Sequence, residues 1–132
     1  MMYLLDTNAC INFIGGKYGV VDKVINAGLE NCFISEITVL ELIYGAASSK
    51  DKINNRNTID AFVAMLTVKR IDTAFDIFST EKARLKEAGQ LISDFDLLIG
   101  ATAIANGYVM ITNNTKHFNR LQNIQLENWA IK

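Results

Sequence analysis

Three acidic residues of this chain stand in apolar surroundings, where a carboxylate is unusual. Asp6 ends the apolar run Met1–Leu5, Glu41 lies within Thr38–Leu42, and Asp96 opens an almost wholly apolar stretch. An acid in such surroundings requires a compensating partner, and a divalent cation held by carboxylate oxygens is a common one. The residue types therefore indicate a candidate site for a divalent cation.

Each of these acids also has a purely structural interpretation as a helix cap. Ser93 and Asp96 have the spacing of a capping box, and so do Thr38 and Glu41. The first acid could likewise cap the helix that follows it. Because Ser35 is better placed to begin its helix, Glu41 is expected inside that helix, among apolar neighbours.

Strands and helices are predicted to alternate along the chain. An apolar run that ends abruptly in a carboxylate is typical of a buried first strand, and parallel sheets place ligand sites at such strand ends. The alternation predicts a parallel sheet covered by helices on both faces. We predict strands at 2–5, Cys32–Ile34, Val68–Ile71, Tyr108–Ile111 and Leu126–Trp129, and helices at Asn8–Ile14, Val20–Ala27, 35–47, Asp51–Leu66, Thr73–Ala88 and 94–105.

Composition and charge limit the class of protein. With 132 residues, of which 50% are hydrophobic, residues 1–132 are expected to form one domain. No apolar run is long enough to span a membrane and the start lacks a basic region, which favours a cytoplasmic protein. The net charge of −1 argues against a general nucleic-acid coating protein. Cys10 and Cys32 lack metal-site spacing and are expected to be reduced core residues.

Four segments that carry these acids, or that follow a strand end, occur in a characteristic order. They are Leu5–Asn8, Ile34–Gly45, Asp94–Ile99 and Ile111–Phe118. In this order and spacing they resemble the PIN domain, and more closely the VapC-type toxins of bacterial toxin–antitoxin pairs. The resemblance covers nearly the whole chain and implies an α/β fold, a three-layer α/β/α sandwich with a central parallel sheet.

The resemblance implies a metal-dependent endoribonuclease that an antitoxin keeps silent. In that family the acids corresponding to Asp6, Glu41 and Asp96 are catalytic and bind Mg²⁺ or Mn²⁺. Asp94 is expected either to be a further ligand or only to cap its helix. The cation would polarise the scissile phosphate and activate a water. Hydrolysis of RNA, with tRNA as one expected substrate, would leave 5′-phosphate and 3′-hydroxyl ends.

Polar residues beside the acids have implied supporting roles. Asn8, Thr112 and Asn114 would orient carboxylates or waters. Many PIN domains carry a fourth acid shortly after the strand-end Thr, where this chain has Asn113 and Asn114. An amide oxygen supplies no charge, so a site that binds one ion tightly, and a second only with RNA, is expected.

Basic and aromatic side chains follow the acids in the sequence. Lys116, His117 and Arg120 could contact RNA phosphates, or form a solvated face. His117 is the single histidine and is not expected to act as general base. Trp129 and Phe118 are expected in the core rather than as platforms for base stacking.

The resemblance also implies protein partners. VapC-type proteins usually form homodimers, and a small antitoxin covers the acidic site, often with a basic side chain near the carboxylates. The amphipathic stretch Ile59–Leu66 could serve either contact. Ordinary core packing of that stretch is the alternative.

Two other functions fit parts of the pattern. A haloacid-dehalogenase-like phosphatase also places an Asp after its first strand, but it needs a second Asp two residues later, where Asn8 stands. A non-catalytic PIN-fold module for RNA or partner binding agrees with the missing fourth acid. The three retained acids argue against that module.

Overall fold

The sheet contains five short parallel strands, and its strand order places the first strand at the centre. The structure, a computed structural model, describes residues 1–131. The strands pair in the order β3-β2-β1-β4-β5, all parallel. They are β1 (Tyr3–Leu5), β2 (Cys32–Ser35), β3 (Thr67–Lys69), β4 (Val109–Ile111) and β5 (Gln125–Glu127).

Seven α-helices are described within residues 1–131. They are α1 (Thr7–Ile14), α2 (Val20–Ala27), α3 (Glu36–Ala47), α4 (Lys52–Ala64), α5 (Phe75–Glu87), α6 (Asp94–Asn106) and α7 (Thr115–Phe118). Short 3-10 helices at Leu29–Asn31 and Ile71–Ala74 precede β2 and α5. The longest of these helices have 13 residues, so none in this part of the chain has the length and apolarity needed to traverse a bilayer.

Each face of the sheet is covered by its own apolar core. Because successive side chains of a strand point to opposite faces, Leu5 joins the core under α1 to α4, and Leu4 joins the core under α5 and α6. Ile111 and Met110 divide in the same way on β4. These two cores confirm the predicted three-layer α/β/α sandwich with a central parallel sheet.

Two strands differ from the predicted boundaries. β3 ends at Lys69, before the predicted Ile71, because the backbone N–H of Ile71 donates to Glu36 Oε1 at 2.8 Å and not to a neighbouring strand. β5 ends at Glu127, and the Trp129 ring instead packs 4.9 Å from that of Tyr3. Trp129 is thus a buried core residue, as predicted.

Apolar residues of the predicted contact stretch serve the core. Ile59 and Phe62 are buried on α4, and Val63 and Leu66 pack against the same cluster. These contacts favour the core-packing alternative for this stretch, and the dimer or antitoxin contact stays a prediction. Elsewhere, the two cysteines are free and buried, in keeping with the sequence prediction.

Two helical glycines lie in opposite environments. A Cβ at Gly100 would lie 2.4 Å from Leu121 Cδ1, whereas a Cβ at Gly45 would meet nothing within 4 Å. Gly100 therefore lets the segment after α7 approach α6 closely.

We expect Gly100→Ala to destabilise the fold by about 1–3 kcal/mol through overpacking. The matched Gly45→Ala change should stabilise it by up to about 1 kcal/mol, because alanine favours the helix. Urea unfolding of both variants measures these changes. Equal stabilities of the two variants would contradict the packing described here.

Candidate metal and catalytic site

The candidate site lies where the strand order reverses. β1 and β4 are neighbours, yet β2 and β3 intervene between them along the chain. Leu5 pairs with Ile111 in register, so Asp6 and Thr112 leave the sheet side by side. In open parallel sheets, ligands bind in the crevice at the carboxyl ends of such strands.

Three of the four predicted acids meet at this crevice. They line a single cavity of about 120 Å³. Its wall consists of Asp6, Thr7, Asn8, Glu41, Asp96, Asn114 and Phe118. Carboxylates from the end of β1, from α3 and from the first turn of α6 thus share one small volume.

Asp6 is the buried member of this group, with 4% of its surface exposed. Its Oδ1 accepts a hydrogen bond of 2.7 Å from the backbone N–H of Ala9, so Asp6 also caps α1. Burial raises the pKa of Asp6 from 3.8 to about 6, and the charges of Asp96 and Glu41 add to the rise. Hydrogen bonds from Thr112 and Ala9 oppose it without cancelling it.

Glu41 is held by a threonine that the sequence reasoning did not single out. Ser35 caps α3, which places Glu41 inside that helix as predicted. The Thr7 hydroxyl donates to Glu41 Oε1 at 2.6 Å, and it lies 3.1 Å from the buried Thr38 hydroxyl. Thr7 follows Asp6 directly, so its place in the Leu5–Asn8 motif was the available signal.

Asp96 is oriented by the single histidine. Ser93 Oγ accepts the backbone N–H of Asp96 at 3.2 Å, which is the backbone half of the predicted capping box. The carboxylate itself turns to α7, where Asp96 Oδ2 lies 3.1 Å from His117 Nε2. His117 therefore contacts a candidate ligand, a contact that the sequence did not indicate.

Asp94 points away from the cavity. Its Oδ1 lies 2.9 Å from Lys82 Nζ on α5, and its side chain is 57% exposed. Residues two apart on a helix face different directions, which separates Asp94 from Asp96. We therefore leave Asp94 out of the ligand set proposed below.

The remaining predicted residues divide between the cavity and the surface. Asn8 and Asn114 line the cavity, and the Thr112 hydroxyl accepts the backbone N–H of Asn114 at 2.9 Å. Lys116 is exposed and has no ion pair within residues 1–131. Arg120 Nη1 lies 3.4 Å from the carbonyl oxygens of residues 90 and 91.

A buried charge outside the cavity fixes the segment that carries His117. Glu81 on α5 accepts two hydrogen bonds from Arg84, of 2.7 and 2.9 Å, and one of 2.6 Å from the backbone N–H of Gln122. These bonds to Arg84 lower the pKa of Glu81. Arg84 Nη2 also donates to the Arg120 carbonyl at 2.7 Å. α5 thereby anchors the chain just after α7.

The chemistry of the cavity suits a hard divalent cation. Within residues 1–131 no three His, Cys, Asp or Glu side chains stand close enough together to hold an ion by themselves. Mg²⁺ commonly binds through one or two carboxylates together with waters and substrate phosphate. Asp6 and Asp96 supply two such carboxylates, and Glu41 lines the same cavity.

Comparison with known proteins decides the family. Residues 3–124 match the PIN domain family. The chain belongs to the PIN-domain family, as a VapC-type member. It is 33% identical over 131 residues to the tRNA(fMet)-specific endonuclease VapC of Shigella flexneri, covering 98% of this chain and 99% of that protein. This result leaves no basis for the phosphatase alternative.

Solved structures agree with this assignment. VapBC from Salmonella typhimurium, crystallised with DNA, matches with a TM-score of 0.92 and 32% identity over 98% of this chain and 99% of that chain. VapBC2 from Rickettsia felis, bound to a DNA fragment from its promoter, matches with a TM-score of 0.91 and 32% identity, covering 98% and 100%. The PIN fold therefore extends over nearly all of this chain.

Replacing Asp6 by Asn should stabilise the metal-free PIN domain above about pH 6. The raised pKa means that the folded state binds the Asp6 proton more tightly than the unfolded state. Stability therefore falls as pH rises from about 4 to about 6, by on the order of 3 kcal/mol, whereas Asn stays neutral. Thermal unfolding of both proteins in EDTA across this range measures the difference, which should vanish near pH 4. A variant less stable than wild type near pH 8 would contradict the burial cost.

The Glu81 anchor makes a separate prediction. Glu81→Gln retains an acceptor for Gln122 but loses the charged bonds to Arg84, so we expect a loss of about 1–2 kcal/mol. Amide hydrogen exchange should accelerate around residues 119–123. Asp60→Asn, which removes an exposed ion pair with Arg56, is the control and should change little. If the two variants lose equal stability, the anchor is unimportant.

Proposed function

We propose that this chain is a metal-dependent endoribonuclease, the toxin of a toxin–antitoxin pair. The observation that carries the proposal is the meeting of Asp6, Glu41 and Asp96 in one cavity at the reversal point of the sheet. Relatives that share about a third of the sequence over its whole length are named ribonucleases. We take residues 1–132 as one catalytic domain.

Asp6 and Asp96 are the proposed direct ligands of the cation. Glu41, fixed by the Thr7 hydroxyl, binds it directly or through a water. A bound Mg²⁺ or Mn²⁺ supplies charge neutralisation of the scissile phosphate and activation of the attacking water. His117 restricts rotation of the Asp96 carboxylate, and Thr112 does the same for Asp6.

Neutral residues complete the proposed cavity. Asn8 and Asn114 offer amide groups to waters or to the RNA phosphate. Since Asn114 adds no charge where many PIN domains have an acid, we propose one tightly held ion, joined by a second when RNA phosphate contributes ligands.

The proposed substrate is RNA, and tRNA is the first to test. A relative 33% identical to this chain is named for its action on tRNA(fMet). A cation at this site would activate a water as the nucleophile, so no protein nucleophile would be needed, and the expected products carry 5′-phosphate and 3′-hydroxyl ends. We place this activity in the cytoplasm. Lys116 is the side chain that we propose to contact a substrate phosphate. Arg120 is already engaged with backbone carbonyls, so we assign it a weaker role.

The proposed partners are an antitoxin and a second copy of the chain. The similar solved structures include VapBC complexes that align over the whole chain. An antitoxin that places a basic side chain at the cavity would compensate the same charges as the cation. Homodimerisation is proposed from the family resemblance.

Cleavage of RNA should require metal and both proposed ligands. We expect purified protein to cut bacterial tRNA in Mg²⁺ or Mn²⁺ and not in EDTA. Asp6→Asn and Asp96→Asn should lower kcat by at least about 100-fold, because each removes a ligand charge. Gel analysis with end mapping measures the activity and the chemistry of the ends.

Asp94→Asn is the matched control, since it removes a carboxylate of the same helix turn that faces Lys82. It should retain most of the activity. Folded, antitoxin-free wild-type protein that cuts no RNA in any metal would instead favour the non-catalytic module.

A further inference from the structure

Two exposed aromatic rings stand beside the carboxylate cavity. Tyr44 is 71% exposed and Phe95 is 44% exposed, although both are large and apolar. Neither packs against another ring within residues 1–131. Exposed apolar side chains gathered in one place indicate a binding surface.

The two rings line one groove, and that groove is continuous with the cavity. The groove has a volume of about 630 Å³, within the roughly 300–1,000 Å³ of small-molecule sites. Thr7, Asn8 and Glu41 belong to the walls of both the groove and the cavity. The groove is therefore within reach of a nucleotide that neighbours a phosphate bound in the cavity.

Each ring is tied in sequence to one of the acids. Phe95 directly precedes Asp96 on α6. Tyr44 follows Glu41 by three positions, so Tyr44 and Glu41 lie on the same side of α3. The backbones of α3 and α6 thus place each ring near one of the carboxylates.

The groove suits a base better than a phosphate. Glu41 is its one charged wall residue, and within residues 1–131 its wall includes no Lys or Arg; Ile11 and Leu40 complete the apolar part. Every nucleobase has an apolar face that stacks on an aromatic ring, and single-strand binding proteins rely on this contact.

We propose that Tyr44 and Phe95 form a stacking platform for unpaired bases next to the scissile phosphate. The inference rests on the proposed nuclease function and specifies its substrate as unpaired RNA. Bases held in a duplex are stacked on each other and are not free to leave for the groove. The platform thus selects loops and single strands by shape, without reading a sequence.

The test measures KM and kcat of wild type and variants on two substrates. One is a single-stranded RNA oligonucleotide that wild type cuts, and the other is the same oligonucleotide annealed to its complement. Tyr44→Ala and Phe95→Ala should each raise KM for the single strand by about 5- to 140-fold, since stacking on an aromatic ring contributes that much per base. kcat should change little, because the contact binds ground and transition states alike. The duplex should be a poor substrate for all variants.

Conservative and remote variants make this result specific. Tyr44→Phe and Phe95→Tyr keep the ring and should keep the wild-type KM. Phe75→Ala removes another exposed ring, of which 53% of the surface is accessible. Phe75 is remote from the groove, because the hydroxyl of nearby Thr73 lies 3.5 Å from Asn106, at the end of α6 opposite to Phe95. It should leave KM unchanged. Melting temperatures identify any variant that fails to fold.

Unchanged KM in both alanine variants overturns the platform. If those variants instead lose affinity for the antitoxin alone, the groove is a protein-binding surface and the proposal is wrong. If wild type cuts no RNA, the nuclease function fails separately. Fluorescence anisotropy of the labelled oligonucleotide then decides: weaker binding by Tyr44→Ala supports stacking, and equal binding refutes it.

Discussion

The burial of a carboxylate at the end of the central strand is the constraint on which the site depends. Asp6 leaves β1 beside the first turn of α1 and is almost inaccessible to water. A charge in that position is costly, and the charges of Asp96 and Glu41 increase the cost. The fold keeps it there because the β1–β4 pairing fixes the backbone and two hydrogen bonds fix the side chain. A cation is therefore the natural complement of this cavity.

Two of the acids, Glu41 and Asp96, are each held by a side chain that is distant in sequence and lies on another helix. Thr7 and Glu41 are 34 positions apart, and His117 and Asp96 are 21 apart. Each bond joins two elements, α1 to α3 and α7 to α6, so the cavity is also a junction of the fold. The buried Glu81 extends this support, because it ties the chain after α7 to α5. Loosening any of these elements would shift the carboxylate of a candidate metal ligand without any change to that residue itself.

Sequence reasoning recovered what local patterns determine. Apolar runs gave the strands, and the Ser35 cap correctly placed Glu41 inside α3. It failed where a contact with a residue distant in sequence determines the local structure. The end of β3 depends on a bond to Glu36, 35 positions away, which no periodicity reveals. The contrast between Asp94 and Asp96 was open to prediction, because residues two apart on a helix cannot face one cavity. The groove between α3 and α6 was not, since it arises from packing.

The amide at Asn114 is best understood as a compromise between ion affinity and stability without an ion. A fourth carboxylate would strengthen binding of a second cation. It would also add repulsion to a cavity in which Asp6 already has a pKa near 6. The fold must also tolerate this cavity when it holds no ion, because the carboxylates then repel one another. Three acids with neutral amides keep that cost moderate, and substrate phosphate can contribute the remaining ligands when RNA arrives.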